Sequence, residues 1–261
     1  MTRFGDQVVM VSGGATGIGA ASARAFAAEG ARVTILDVNA VDGEATAGEI
    51  GGRFREVDVT DEAEVREAVE ETVSEYGRLD VMHANAGIEW TKRVVDTELE
   101  EWNRVIAVNL TGVYLCCRYA LRRMVEQKRG ALVITASPHA LVTVPDAGAY
   151  AASKGGVLAL NRALALEGAP HNVRSNALLP GAIDTPMLRR EAEVAPDPDE
   201  QVRRFGLIHP IARLGRPEEV AQAALFLASD AASFVTGTAL AVEGGLLAVV
   251  PSGPALAYTE G

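Results

Sequence analysis

The stretch "SGGATGIGAA", residues 12–21, links the first apolar run of the chain, "QVVMVS" (7–12), to the first amphipathic one, 18–29. Gly13, Gly17 and Gly19 permit a tight turn, close backbone approach to a pyrophosphate and close packing of the helix that follows. A helix opening near Ile18 turns its N-terminal amides toward an anion. Glycine-rich turns also serve structure alone. This one stands between a strand and a helix, and the next apolar run, "RVTILD" (32–37), ends on Asp37, eighteen residues beyond Gly19. An acid there is placed to hold the hydroxyls of an adenosine ribose, so the junction reads as a dinucleotide-binding turn.

The same rhythm continues outward. Strand candidates follow at 53–58, 79–85, 131–137, 173–179 and 238–242, with helical periodicity between them at 42–50, 61–76, 98–127, 149–167 and 217–229. Asp61 followed by Glu64 has capping-box spacing. Strand and helix in strict alternation predict an α/β fold, a doubly wound parallel sheet covered by helices on both faces. Neither a linker nor an internal repeat divides the chain, so residues 1–261 read as one domain. Residues 184–210 break the rhythm with charge and four prolines, an insertion of the kind that forms functional lids.

Composition bounds the function. With 24 basic against 35 acidic residues the formal charge is −11, which argues against nucleic acid or an anionic membrane as partner. The two cysteines, Cys116 and Cys117, are adjacent in an apolar-periodic stretch and read as buried thiols of a reducing compartment. The segment "MTRFGDQVVMVSGG" has no apolar run suited to a signal peptide or membrane helix, and the expectation is a cytoplasmic protein. No His/Cys/Asp cluster has metal-ligand spacing, so no metal is expected.

A second motif, "AYAASKGG" (149–156), puts Tyr150 and Lys154 four residues apart on one helical face. Alone, such a pair reads as a half-exposed aromatic beside a solvated charge. Ser137, ending the fifth strand candidate, changes that reading, because ligands of doubly wound folds bind beyond the carboxyl ends of the strands. A lysine charge about 4 Å from the phenol supplies about 4 kcal/mol at an effective dielectric near 20, enough to bring tyrosine toward neutral pH.

The spacing G-x-x-x-G-x-G at 13–19 and Y-x-x-x-K at 150–154 resemble the short-chain dehydrogenase/reductase family. Further matches fall in the family's order: "DV" at 58–59, "NAG" at 85–87, "VNL" at 108–110, Ser137, and "PGAIDT" at 180–185. The likeness runs from about Val8 to Leu246. It implies a Rossmann-type sheet of seven parallel strands in the order 3-2-1-4-5-6-7 and reversible hydride transfer between a nicotinamide and a secondary alcohol or ketone. By that resemblance Tyr150 exchanges the hydroxyl proton, Ser137 polarises the substrate oxygen, Lys154 tunes Tyr150 and holds ribose, and Asn109 supports a proton relay. A mid-helix asparagine can also simply bond neighbouring backbone. Implied cofactor contacts are Gly13, Gly17, Ile18, Gly19, Asp37, Asp58, Val59, Asn85, Gly87, Pro180, Ile183 and Thr185, beside Tyr150 and Lys154. Asp37 points to NAD rather than NADP, and helices 98–127 and 149–169 to a homotetramer or, failing that, a dimer.

Some positions depart from the family's pattern. Ala84 stands where the family usually has asparagine, and "VEGG" (242–245) replaces Val-Asp-Gly-Gly. His83 is expected inside a strand or beneath the cofactor. His139, two residues after Ser137, is either a substrate contact or an exposed loop histidine. With Trp90, Leu141, Val142, Met187 and Leu188 it outlines a mostly apolar pocket, favouring a hydrophobic or cyclic alcohol over a free sugar. A 3-oxoacyl-carrier reductase, a dehydratase or epimerase on the same scaffold, and a cofactor-sensing regulator are the competing readings. The regulator should have lost the Tyr-Lys pair.

Overall fold

A computed structural model describes residues 2–249; Met1 and residues 250–261 of the expected domain lie outside the described residues. Seven strands, β1 Val8–Ser12, β2 Arg32–Asp37, β3 Arg53–Glu56, β4 Val81–Ala84, β5 Gly130–Thr135, β6 Val173–Pro180 and β7 Ala239–Val242, form one sheet in the order β3-β2-β1-β4-β5-β6-β7. Every pairing is parallel. The helices are α1 Gly17–Ala28, α2 Ala40–Ile50, α3 Glu62–Tyr76, α4 Leu99–Ile106, α5 Val113–Gln127, α6 Gly148–Gly168, α7 Pro186–Ala192, α8 Pro198–Leu207 and α9 Pro217–Ala228.

Side chains alternate across a strand, and both faces of this sheet are covered, so the central strands are apolar throughout. Val8 and Met10 of β1 join the core under α3, α5 and α6. Val9 and Val11 join the core under α1 and α9. The edge strand β3 carries charge instead, its Arg53 and Arg55 paired with Glu75 and Glu71 of α3. Strand order reverses between β1 and β4, which opens a crevice at their carboxyl ends, beside the glycine turn.

Three local expectations change. The helical stretch 98–127 is not one α-helix: α4 and α5 are joined by a π-helical turn, Ala107–Gly112, centred on Asn109. The capping box at α3 is half made. Asp61 accepts from the amides of Ala63 and Glu64, but the Glu64 carboxylate accepts instead from the Asp58 amide, at 2.7 Å. The 184–210 insertion is itself helical, because Pro186 and Pro198 occupy first-turn positions, where a missing N–H costs nothing. Thr185 and Asp197 cap α7 and α8, accepting from Leu188 and Glu200. Cys116 and Cys117 are free and buried, and burial pushes the Cys116 thiol up to about 12. No helix among the described residues is long and apolar enough to cross a membrane.

Candidate active site

The glycine turn has the geometry of an anion cradle. Gly13 and Gly17 adopt φ of 63° and 56°, in the left-handed region that favours glycine. A Cβ on Gly19 would collide with the Gly13 carbonyl. Thr16, which precedes α1, makes no side-chain cap, and no acid lies in the first turn, so the amides ahead of Ile18 remain available to a phosphate. The Asp37 carboxylate is already oriented: one oxygen accepts from Ala15 N and the other from Asn39 N, both at 3.0 Å. It thereby ties the glycine turn to the end of β2, and each oxygen keeps a free lone pair for a ribose hydroxyl.

Three of the implied contacts have only backbone to offer. Val59 and Ile183 bury their side chains in the two cores, and Pro180 is the last residue of β6. Asp58 is exposed and accepts from the amide and hydroxyl of Thr60. Asn85 is locked to the turn, donating from Nδ2 to Gly13 O at 3.1 Å, while its own amide donates to the Ser12 hydroxyl.

Behind Asn85 runs a buried hydrogen-bond chain that the sequence reading missed. Thr135 Oγ1 donates to Asn85 Oδ1 at 3.0 Å, and His83 Nε2 lies 3.0 Å from the same hydroxyl. The threonine has one proton and gives it to Asn85. His83 must therefore donate, and it is neutral with its proton on Nε2. Burial alone drives its pKa down to about 4, in keeping with that form. His83 is thus a structural strand residue, one of the two placements expected for it.

The candidate catalytic residues converge where the sheet ends. Lys154 is buried, and its Nζ donates to the Thr135 carbonyl at 3.0 Å, 5.6 Å from the centre of the Tyr150 ring. Asn109 Oδ1 accepts from Ile88 N, while Nδ2 donates to Ile88 O and to Ser153 Oγ, which in turn donates to Tyr150 O. The backbone bond foreseen for Asn109 exists, but to a residue twenty-one positions away. A Cβ on Gly87 would lie 3.3 Å from Asn109 Oδ1 and 3.5 Å from Lys154 Nζ, so this glycine borders the two side chains closely. Gly156 lets Leu110 of the π turn approach the α6 backbone, where a Cβ would stand 2.8 Å from Leu110 Cδ2.

Electrostatics differ from the expectation that Lys154 lowers Tyr150. Burial raises the Tyr150 phenol well above its usual value; Glu89 adds to this, and the Ser137 hydroxyl beside it opposes it. Burial also draws Lys154 down to about 8, against the pull of Glu89. Glu89 itself is pushed up to about 7, chiefly by burial and then by Glu191 of α7. Neither glutamate was anticipated; the one cue is a charge between Ile88 and Trp90 in an otherwise apolar run.

Among the substrate candidates, His139 meets Tyr150 edge-on, with centroids 5.6 Å apart, and its Nδ1 lies 2.9 Å from Thr143 Oγ1. Leu188 is buried, and the Trp90 indole N–H is buried without a partner. Leu141 and Val142, 61% and 55% exposed, lie on the surface loop after the 3₁₀ turn Pro138–Ala140. Met187, at the start of α7, is also exposed.

A glycine cradle at the sheet's crossover point, an acid closing β2 and a Ser-Tyr-Lys cluster beyond β5 define a nicotinamide-dependent oxidoreductase of alcohol and ketone groups. The model of a family described as enoyl-(acyl carrier protein) reductase matches residues 13–247. The chain is 43% identical to cis-4-hydroxycyclohexanecarboxylate dehydrogenase of Sinomonas cyclohexanicum over 94% of this chain and 98% of the relative. It is 38% identical to 2,5-dichloro-2,5-cyclohexadiene-1,4-diol dehydrogenase of Sphingobium indicum, over 95% of this chain and all of the relative. The crystal structure of levodione reductase superposes with a TM-score of 0.93 at 35% identity, covering 95% of this chain and 100% of that one. The chain belongs to the short-chain dehydrogenase/reductase family.

Proposed function

We propose that this chain is an NAD-dependent dehydrogenase, a single domain acting on a hydroxyl or ketone carried by an apolar ring. The observation that carries the reading is the Ser137 hydroxyl beside the half-buried Tyr150 beyond β5, with the Lys154 ammonium 5.6 Å from the centre of the Tyr150 ring and His139 edge-on to it. Two of the relatives are named for oxidising substituted six-membered rings, which favours a ring-borne hydroxyl as substrate. When bound, the cofactor exchanges a hydride with the substrate carbon. Ser137 orients the substrate oxygen by hydrogen bonding, and Tyr150 gives that oxygen its proton in reduction and takes it back in oxidation. Lys154, anchored on Thr135 O, holds its charge beside the phenol and the ribose.

An acyl-carrier substrate is the second reading, raised by the description of the matching family. It calls for basic groups around the entrance to receive an acidic carrier. Three of the four arginines of the 184–210 insertion, Arg189, Arg203 and Arg204, are instead engaged by Asp184 and Glu200. A panel followed by nicotinamide absorbance separates the readings. Turnover is expected with cyclic secondary alcohols and their ketones. Turnover confined to polyhydroxylated sugars or to 3-oxoacyl thioesters rejects the ring-alcohol assignment.

A homotetramer completes the proposal, in a reducing cytoplasm that suits the two free thiols. Its support is apolar surface on the helices expected to pair: Leu99 (72% exposed) and Trp102 on α4, Tyr114 on α5 and Leu166 (77% exposed) on α6. Light scattering at micromolar concentration is expected to give four times the 27.4 kDa chain mass. A monomer overturns the assignment.

A further inference from the structure

His209 is a buried titratable side chain that this chemistry does not use, 3% exposed at the end of the helical excursion. The excursion has a narrow neck. It leaves the sheet after Pro180 and returns at Gly215, where Ile183 and Gly215 form a parallel bridge. Asp184 N donates to Gly215 O, and Gly215 N donates to Ala182 O, both at 2.9 Å. The His209 ring reaches back across this neck. Its Nε2 accepts from Ala182 N at 3.1 Å, and its Nδ1 lies 2.7 Å from Glu243 O, just past β7.

Both partners are backbone groups with a single possible role. An amide N–H can only donate and a carbonyl can only accept, so Nδ1 must carry the proton and Nε2 must be bare. The surroundings are shaped to the ring. A Cβ on Gly181 would stand 2.5 Å from His209 Cε1, and one on Gly244 would stand 3.2 Å from His209 Cβ. Gly181 N in turn donates to Val242 O. One imidazole therefore joins the root of the excursion, its far end and the end of β7.

We infer that His209 is a positioning residue, a neutral Nδ1–H imidazole clasp that fixes Ala182 and so sets the Pro180–Thr185 segment on which the cofactor rests. The functional half of this inference rests on the proposed placement of the nicotinamide beside that segment. Protonating Nε2 would set an N–H against the Ala182 N–H and release the root. Burial holds the histidine below its usual range, against the opposing pull of Glu243, the one charged group acting on it. The clasp should accordingly loosen only at a pH below the usual imidazole range.

The test uses two partial mimics. Glutamine can place an acceptor near the Nε2 position, and asparagine can place a donor near the Nδ1 position. Hydrogen–deuterium exchange of the cofactor-free full chain is read at amides 182–192, with β4 as the reference. His209→Asn is expected to speed exchange there about tenfold, the equivalent of one lost hydrogen bond, and His209→Gln less than threefold. In wild type, lowering the pH from about 7.5 to well below the usual imidazole range should give the same local acceleration beyond the intrinsic pH effect, and His209→Gln should abolish that response. The KM for NAD should rise about tenfold in His209→Asn, with kcat within threefold. Equal exchange in the two variants, or an unchanged rate in His209→Asn, rejects the clasp whatever the kinetics. If His209→Asn fails to fold, the wild-type pH response decides alone, and its absence rejects the clasp. Faster exchange with an unchanged KM keeps the clasp and rejects the placement of the nicotinamide on Pro180–Thr185.

Discussion

Tyr150→Phe is expected to lower turnover by about 10²–10⁴-fold while leaving cofactor affinity within a few-fold, since a positioned proton-transfer group typically contributes that much. The variant keeps the ring, which is half-buried and packed edge-on against His139, so the fold and the neighbouring lysine are undisturbed. What it loses is one hydroxyl beside Ser137. The raised proton affinity of that hydroxyl defines its resting form. Burial and the Glu89 carboxylate keep Tyr150 protonated, ready to protonate a carbonyl oxygen. For alcohol oxidation the phenolate must form, and the groups on hand to stabilise it are the Ser137 hydroxyl and the Lys154 ammonium. With Lys154 drawn down to about 8, its charge is present below that pH and fades above it. Stopped-flow or steady-state assays with the best ring substrate, paired with a cofactor titration, check the result. Retention of more than about a tenth of wild-type turnover would reject acid–base work by Tyr150.

Asp37→Ser is expected to collapse the preference for NAD, which in the wild type should exceed twentyfold in kcat/KM. NADP carries an extra phosphate of charge about −1.5 to −2 on the ribose that Asp37 would hold. Two unit charges about 4 Å apart cost about 4 kcal/mol at an effective dielectric near 20. Even half of that exceeds a twentyfold discrimination, because about 1.4 kcal/mol is a factor of ten. The carboxylate has no freedom to swing away, being fixed by the Ala15 and Asn39 amides. Arg24 and Arg55 are committed to other carboxylates, Glu49 and Glu71, and Arg32 stands at the far end of β2. The substitution also frees the glycine turn, so the informative quantity is the ratio of the two cofactors rather than either rate alone. Equal efficiencies in the wild type overturn the assignment. A ratio unchanged by the substitution clears Asp37 of the role.

Much of this protein is written in short-range pattern. The strands β2 and β6 and the helices α1 and α6 fall within a residue of their expected limits, because apolar period and the glycine turn are local properties of the chain. The same holds for the Tyr150–Lys154 pair, which a helix places on one face whatever surrounds it. Glycine at positions 13, 17 and 19 identified the cradle without any coordinates, since few other functions require that spacing at a strand–helix junction.

What only the tertiary structure decided depends on contacts between segments far apart in sequence. Helix 98–127 breaks into a π turn where Asn109 bonds both backbone groups of Ile88, a partner no periodicity can reveal. Glu64 leaves its expected cap, for the Asp61 amide donates to Asp58 O and the Glu64 carboxylate takes the Asp58 amide. The sign of the Tyr150 shift reversed because spacing supplies the neighbouring charge but says nothing of burial, and desolvation outweighs that charge here. His209 gave no signal at all in the sequence. Its role arises from two backbone groups, Ala182 N and Glu243 O, that the closing of the sheet brings to opposite sides of one ring.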